Sequence, residues 1–412
     1  MGKKFVFRAA RIFDGESAQL RQGAEVLVEA GVIRQISDTP VTVSDNCEVV
    51  DCGGRVLMPG LIDAHVHVYA AGLNVTRVAQ SPPTYIAHFA TKFLKGALDR
   101  GFTTVRDVGG AEVGLASAIR DGLLGLTPRL FYGGRVISQT GGHGDFRPGD
   151  HALDVGCCGC HADHIAVLAD GADAVRKAVR EELRRGASHI KVMASGGVAS
   201  PTDPLERCQY SDEEIRAAVD EATRAGSYVA THCHPAEAIR RSATLGVRTI
   251  EHCTLVDDES AAVVAEKGAY GVPTMAVISA LLQEGEKLGL PPASVTKLKK
   301  IGDSAMGGLE ILKKAGVKMG LGTDLLGPQH VLESTEFSIR AQVLTSIDIL
   351  RSACAVNAEI VNMPGKLGCV REGALADLLV VEGDPVKDVT VLCEQENLRV
   401  IMKDGQFHKK AI

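Results

Sequence analysis

His65 and His67 stand two apart in the run PGLIDAHVHV. On a β-strand both side chains project from one face and can grip a single ion. His232 and His252 close two later apolar segments, YVATHCH and RTIEHCT, and offer further neutral imidazole nitrogens. Asp324, in KMGLGTD, supplies a carboxylate. Lys191, in HIKVMAS, is the odd member, because an ammonium repels a metal. A buried lysine can lose its proton, and the free amine can then add carbon dioxide to form a carbamate, an anion whose two oxygens can bridge two cations. The competing reading of Lys191 is an ion pair with Asp324. A lone His-x-His pair is weak evidence, since a histidine packed in a core is the bland alternative. Clustered ligands, however, rarely converge without a metal, and this set points to metal-dependent catalysis.

A repeated joint must position these residues. In DRGFTTVRD, RRGASHIKV, RAGSYVATH, TLGVRTIEH, EKGAYGVPT and KAGVKMGLGTD, a charged helix runs into a glycine and then into a short apolar strand. Glycine fits the left-handed position that closes a helix before the chain turns back. Lys191, His232, His252 and Asp324 follow Gly186, Gly226, Gly246 and Gly316 by a few residues, at the strand ends. Metal-capable side chains at the carboxyl ends of successive parallel strands form the active face of a barrel enzyme. Between residues 58 and 363 the candidate strands are LIDAHVHV, FTTVRDV, LFYGGRVIS, HIKVMAS, YVATHCH, RTIEHCT, YGVPTM and KMGLGTD. Helical stretches separate them: Ser211 and Glu214 form a capping-box pattern, and Pro235 suits a first helical position. The expected fold is α/β, a (β/α)8 TIM-like barrel over 58–363. An open doubly wound sheet is disfavoured, because no Gly-rich phosphate fingerprint follows the first strand. Residues 1–57 and 364–412 read as strands and turns, with Ala30-Gly31 and Asp404-Gly405 at hairpin tips. The two ends are expected to fold together as one small β-sandwich domain.

The motifs PGLIDAHVHV, GFTTVRDVGG, SQTGGHGD, HIKVMASGGVASPTDP, RTIEHCTLVDDE, MGLGTDLLG and GALADLLVVEGDP occur in this order from about residue 50 to about residue 385. Together they resemble the amidohydrolase superfamily, in the branch of Xaa-Pro dipeptidases (prolidases) with a carboxylated lysine, near imidazolonepropionase. The resemblance implies a zinc-dependent hydrolase of amide C–N bonds. His65, His67, Lys191 as N6-carboxylysine and Asp324 would hold one ion, and carboxylated Lys191, His232 and His252 the other. Two ions about 3.5–4 Å apart would share a water ionised to a bridging hydroxide at neutral pH. Asp324 would take its proton and return it to the leaving nitrogen. The resemblance also implies that His143, in SQTGGHGD, contacts the substrate's carbonyl or carboxylate. His234 stands where close prolidase relatives look like His-Ala-Tyr-Thr, and reads as replacing a tyrosine that helps hold the substrate carboxylate. The implied substrate is an L-Xaa-L-Pro dipeptide or another small C-terminal amino acid amide, and the implied assembly is a homo-oligomer.

Two enzymatic alternatives keep this site: an amidase on bulky N-acyl aromatic amides of the ochratoxin type, and a cyclic-amide hydrolase of the imidazolonepropionase type. A metal-free scaffold relative is a third, disfavoured because all six ligand positions are present. Arg106 and Asp107 read as a pair that either orients a ligand or fixes its strand. Tyr228 reads as barrel filling. Cys157, Cys158, Cys160 and His161 form a CCGCH loop whose spacing is tighter than the usual zinc hairpin, so these cysteines are expected to be reduced. A net charge of −6 over 412 residues gives no basic field for nucleic acid or a membrane surface. The opening MGKKFVFRAARIFDGE reads as no secretory signal, and eleven scattered cysteines suit a reducing cytoplasm.

Overall fold

The computed structural model describes residues 3–42, 46–147, 165–200, 203–290 and 292–412. The CCGCH loop lies outside these residues. Every joint glycine takes the left-handed conformation its place after a helix requires, with φ of 86° at Gly101, 89° at Gly186, 70° at Gly226, 89° at Gly246, 66° at Gly268 and 73° at Gly316. Five of these joints therefore reverse the chain from a helix into a strand that runs parallel to the previous one.

Leu61–Val66, Phe102–Asp107 and Arg129–Tyr132 form one parallel sheet. Val136–Ser138, Ile190–Met193, Val229–Pro235, Thr249–Leu255 and Tyr270–Val272 continue in a second, in chain order. LFYGGRVIS is thus two strands, because Gly133-Gly134 breaks it. Its first half pairs with Phe102–Asp107 and its second with Ile190–Met193. A short strand, Ala166–Leu168, lies at the outer edge of the second sheet and was not expected.

KMGLGTD does not form a ladder strand either. It runs as a bridge between the last strand and the first. Gly320 donates its N–H to the Gly271 carbonyl at 2.8 Å, Ala64 to Leu321 at 2.9 Å, and Asp324 to His65 at 2.8 Å. Gly322 permits this approach, since a Cβ there would come within 2.5 Å of the His65 Cβ.

The strands' outward residues, among them Ile190, Val192, Val229 and Ile250, pack with Ala218, Ile239 and Val264 of the covering helices. Ser211 caps Asp212–Arg224 through the reciprocal bonds of a capping box with Glu214. Pro235 ends a strand and stands one residue before the helix Ala236–Thr244, where its missing N–H costs nothing.

Strands from both chain ends share a six-stranded sheet ordered Gln406–Lys410, Leu398–Lys403, Leu378–Val381, Val56–Pro59, Arg11–Ile12, Arg21–Gln22. A four-stranded sheet from the amino end packs on it around Phe5, Phe7, Val26, Leu57, Leu378 and Val400. Ala30-Gly31 and Asp404-Gly405 form the hairpin tips, all four residues at positive φ. The tips meet at Ala376, which donates to the Gly31 carbonyl and accepts from Gly405. Every described cysteine is a free thiol, and no described helix is long and apolar enough to cross a membrane.

Candidate metal centre

All six expected ligand positions come together where the parallel strands end. His65 Nε2 and His67 Nε2 lie 3.4 and 3.3 Å from Asp324 Oδ1, and His252 Nδ1 lies 3.8 Å from Oδ2. The ring centroid of His252 is 4.9 Å from that of His65 and 4.5 Å from that of His232. Lys191 is 1% exposed and lines one cavity together with His67, His232, His252 and Asp324. It makes no ion pair with Asp324. Among the described residues its Nζ has no hydrogen-bond partner at all.

Each of the four histidines has one ring nitrogen already committed. His65 Nδ1 donates to Glu251 Oε2 at 2.8 Å, His67 Nδ1 to the Gly109 carbonyl at 2.9 Å, and His232 Nε2 to the Gly196 carbonyl at 3.1 Å. His252 Nδ1 lies 2.9 Å from Thr274 Oγ1. These bonds fix orientation and tautomer and leave the other nitrogen of each ring as a lone pair for a ligand. Burial pushes the His232 and His252 imidazoles well below their usual range, so they are neutral donors. Burial also lowers the Lys191 ammonium, to about 8, against the opposing pull of Glu251 and Asp324. At Asp324, burial would raise the carboxyl, but His65, His67 and His252 outweigh it and hold it ionised. Imidazole nitrogens, an ionised carboxylate and a buried lysine with a lowered pKa fit divalent ions.

The surroundings contain residues that the sequence reading missed or misassigned. Arg106 and Asp107 do not pair. Arg106 turns inward, fully buried, and donates to Glu251 Oε1 at 2.8 Å, to Thr249 Oγ1 at 3.0 Å and to the Ala64 carbonyl at 2.5 Å. Glu251 therefore links Arg106 to His65. Asp107 instead accepts the backbone N–H groups of Val68, Gly109 and Ala111, shaping the turn that carries the acceptor for His67. Asp63 accepts from the His65 N–H at 2.9 Å and from the Thr323 hydroxyl at 2.6 Å, tying the ends of the first strand and the last segment together. The signal for Asp63 was its two-residue spacing from His65, which puts both on one face. Tyr228 is buried and stacks on His189.

His143 and His234 both reach the centre. The His143 ring stacks on His232 at 4.2 Å, and His234 stacks on His252 at 5.1 Å. His234 Nδ1 is 2.7 Å from Thr254 Oγ1. Burial, with His143 nearby, brings the His234 imidazole down to about 3, so it faces the centre uncharged.

Residues 56–407 match the family model described as "Amidohydrolase family", and the chain belongs to that family. Among solved structures it is similar to an amidohydrolase at 48% identity and TM-score 0.96, covering 99% of both chains. It is also similar to a prolidase complexed with N-methylphosphonate-L-proline, at 44% identity and TM-score 0.96, covering 99% of this chain and 100% of that one. Among curated proteins, ochratoxinase of Aspergillus niger is 32% identical over 365 residues, which are 86% of this chain and 76% of the relative.

Proposed function

We propose that this protein is a two-metal amide hydrolase, most simply a dipeptidase of the Xaa-Pro type, built on a closed (β/α)8 barrel over 58–363 with a β-sandwich formed by 1–57 and 364–412. One observation carries the reading. Four histidines each have one ring nitrogen tied back to the protein, with the other left free around a cavity that also holds Lys191 and Asp324. His65, His67 and Asp324 would hold one divalent ion and His232 and His252 a second, with Lys191 as carboxylysine joining them. Zinc is the expected metal. Bound there, the ions would supply an acidified water as nucleophile and polarise the scissile carbonyl.

The chain's own residues then carry the rest. Asp324, ionised and aimed among His65, His67 and His252, takes a proton as attack begins and delivers it to the departing nitrogen. An amine leaves an amide only once it is protonated, so bond cleavage depends on this delivery. His143, stacked on His232, and His234, stacked on His252, hold the substrate's carbonyl and carboxylate oxygens. The prolidase similar to this chain, complexed with N-methylphosphonate-L-proline, supports that substrate class. The free thiols support a reducing, cytoplasmic setting.

A second reading has an observation of its own. A wide, mostly apolar cleft lined by Ile86, Leu115 and Leu124 shares the walls Tyr69 and Val78 with the metal cavity. Such a cleft suits a bulky aromatic acyl group, and the similarity to ochratoxinase supports it. Metal analysis together with a screen of L-Xaa-L-Pro dipeptides against N-acyl aromatic amino acids decides between them. We expect two zinc ions per chain and cleavage of Xaa-Pro. Cleavage of only the aromatic amides would favour the second reading, and a chain that takes up no metal would defeat both.

A further inference from the structure

Asp203 lies in the loop that follows the Lys191 strand, 1% exposed, with no contact to any of the six expected ligands. Its Oδ1 accepts the Ser200 hydroxyl. A serine hydroxyl has a single hydrogen, so once that hydrogen goes to the carboxylate, the oxygen can only accept from its other neighbour. That neighbour is His143 Nδ1, at 2.7 Å. His143 Nδ1 also lies 3.5 Å from Asp203 Oδ2. Nδ1 is thus the nitrogen committed to the loop. Nε2 has no hydrogen-bond partner among the described residues, on a side chain that lines the metal cavity.

The carboxylate is fixed independently. Asp203 Oδ2 accepts from the Gly197 N–H at 3.2 Å and from Gln209 Nε2 at 3.0 Å. Gln209 Oε1 in turn accepts the backbone N–H of His143 at 2.9 Å, so one amide ties down both members of the pair. Lys297, from the remote helix Pro292–Lys314, donates to the carbonyls of Gly197 at 2.9 Å, Ser200 at 3.0 Å and Asp203 at 2.6 Å. Gly197 packs flat against the ring, and any Cβ there would collide with it. Asp203 therefore has hydrogen bonds and a counter-charge from groups other than His143 as well. What the relay adds is control of the imidazole.

We infer that Asp203, acting through Ser200, is a positioning residue that commits Nδ1 of His143 to the loop and presents Nε2 to the substrate. The inference rests on the amide hydrolase reading above for what Nε2 meets, but the relay itself does not. Two measurements separate them. Nitrogen NMR of the metal-loaded protein with labelled histidine, the His143 signals assigned by comparison with His143→Asn, should show Nδ1 of His143 bearing the proton. In Asp203→Asn that state should be lost or mixed. Steady-state kinetics on an L-Xaa-L-Pro dipeptide should show Asp203→Asn and His143→Asn each lowering kcat/KM by about tenfold or more, with the double variant no worse than His143→Asn alone. Ser200→Ala, which leaves the carboxylate in place, should give the same kind of loss in smaller degree, and it decides the matter if Asp203→Asn does not fold. Losses that multiply, or an Asp203→Asn protein of normal kcat/KM with only a lower Tm, would overturn the inference. A wild-type protein that cleaves no such dipeptide but shows the expected tautomer would sink the substrate reading and leave the relay standing.

Discussion

Arg106→Met should uncouple stability from chemistry in a way its position makes calculable. Arg106 and Glu251 are both 0% exposed and are joined at 2.8 Å. Burial alone would push the Glu251 carboxyl up, but Arg106 and then His65 hold it ionised. Without Arg106 a carboxylate is left in the interior with its main counter-charge gone. Breaking a buried pair from one side costs about 3–5 kcal/mol, a fall in Tm of roughly 3–6 °C for a chain of this size. Two double variants then divide the effect. Arg106→Met with Glu251→Gln removes the stranded charge yet keeps an amide oxygen to accept from His65 Nδ1, so both Tm and activity should largely return. Arg106→Met with Glu251→Leu also removes the charge, and Tm should return, but His65 loses the acceptor that orients it. Metal affinity or activity should then stay down by about 10–100-fold. Differential scanning calorimetry, metal content and kcat/KM on one preparation of each variant report all three quantities. Full activity in the leucine double variant would refute the claim that Glu251 works by orienting His65. An unchanged Tm in Arg106→Met would refute the charge argument.

Three further outcomes follow from the same geometry. Asp324→Asn should lower kcat by about 10²–10⁴-fold, with a smaller change in KM, in steady-state assays with the metals restored; an undiminished kcat would remove Asp324 from proton transfer. Gly197→Ala should cost most of the activity while leaving the fold intact by circular dichroism, because its Cβ would displace the His143 ring. Burial raises the Asp203 carboxyl, but the neighbouring His143 imidazole, the hydrogen bond from Ser200 and the charge of Lys297 outweigh it and hold it below the ordinary carboxylate range. A depressed pKa stabilises the fold above the unfolded-state value of about 3.9 and loses that contribution as pH falls. The stability gap between wild type and Asp203→Asn in urea titrations should therefore narrow as pH is taken below about 4.

The joints were legible because helix closure is local chemistry: a glycine at the left-handed position and a strand beginning beside it. All six glycines take that conformation. The residues that follow them within a few positions, Lys191, His232, His252 and Asp324, were found by counting from those glycines. Elements whose form depends on neighbours were not legible. Gly133-Gly134 reads within an apolar run as a strand interior, and only the different partners of its two halves split it. KMGLGTD has the composition of a strand, but Gly320 and Gly322 let it press between Asn357 and His65. That close approach takes the place of a regular ladder. The relay joins His143 to Ser200, 57 positions further on, and no local pattern relates the two.

Glu251 escaped for a sharper reason. It precedes the proposed ligand His252 on one strand, and period-two alternation places neighbours on opposite faces. Glu251 sits opposite His232 in the parallel ladder and faces inward with it, so alternation would turn His252 outward. The backbone escapes this by entering the left-handed region at His252, φ 72°, and at Cys253, φ 52°. Both Glu251 and His252 then reach His65, one as hydrogen-bond acceptor and one as ring neighbour. Asp324 has φ of 56°, again in a conformation that non-glycine residues rarely adopt. Each such residue costs on the order of 1–3 kcal/mol, and it persists only where the surrounding packing over-determines it. Ligand positions are where that expense coincides with a gain, since a regular strand cannot aim two consecutive side chains at one centre. The departure from alternation that hid Glu251 is therefore the same distortion that assembles the site. In related chains, a carboxylate immediately before a strand-end histidine is the residue to test first for a place beside the candidate site.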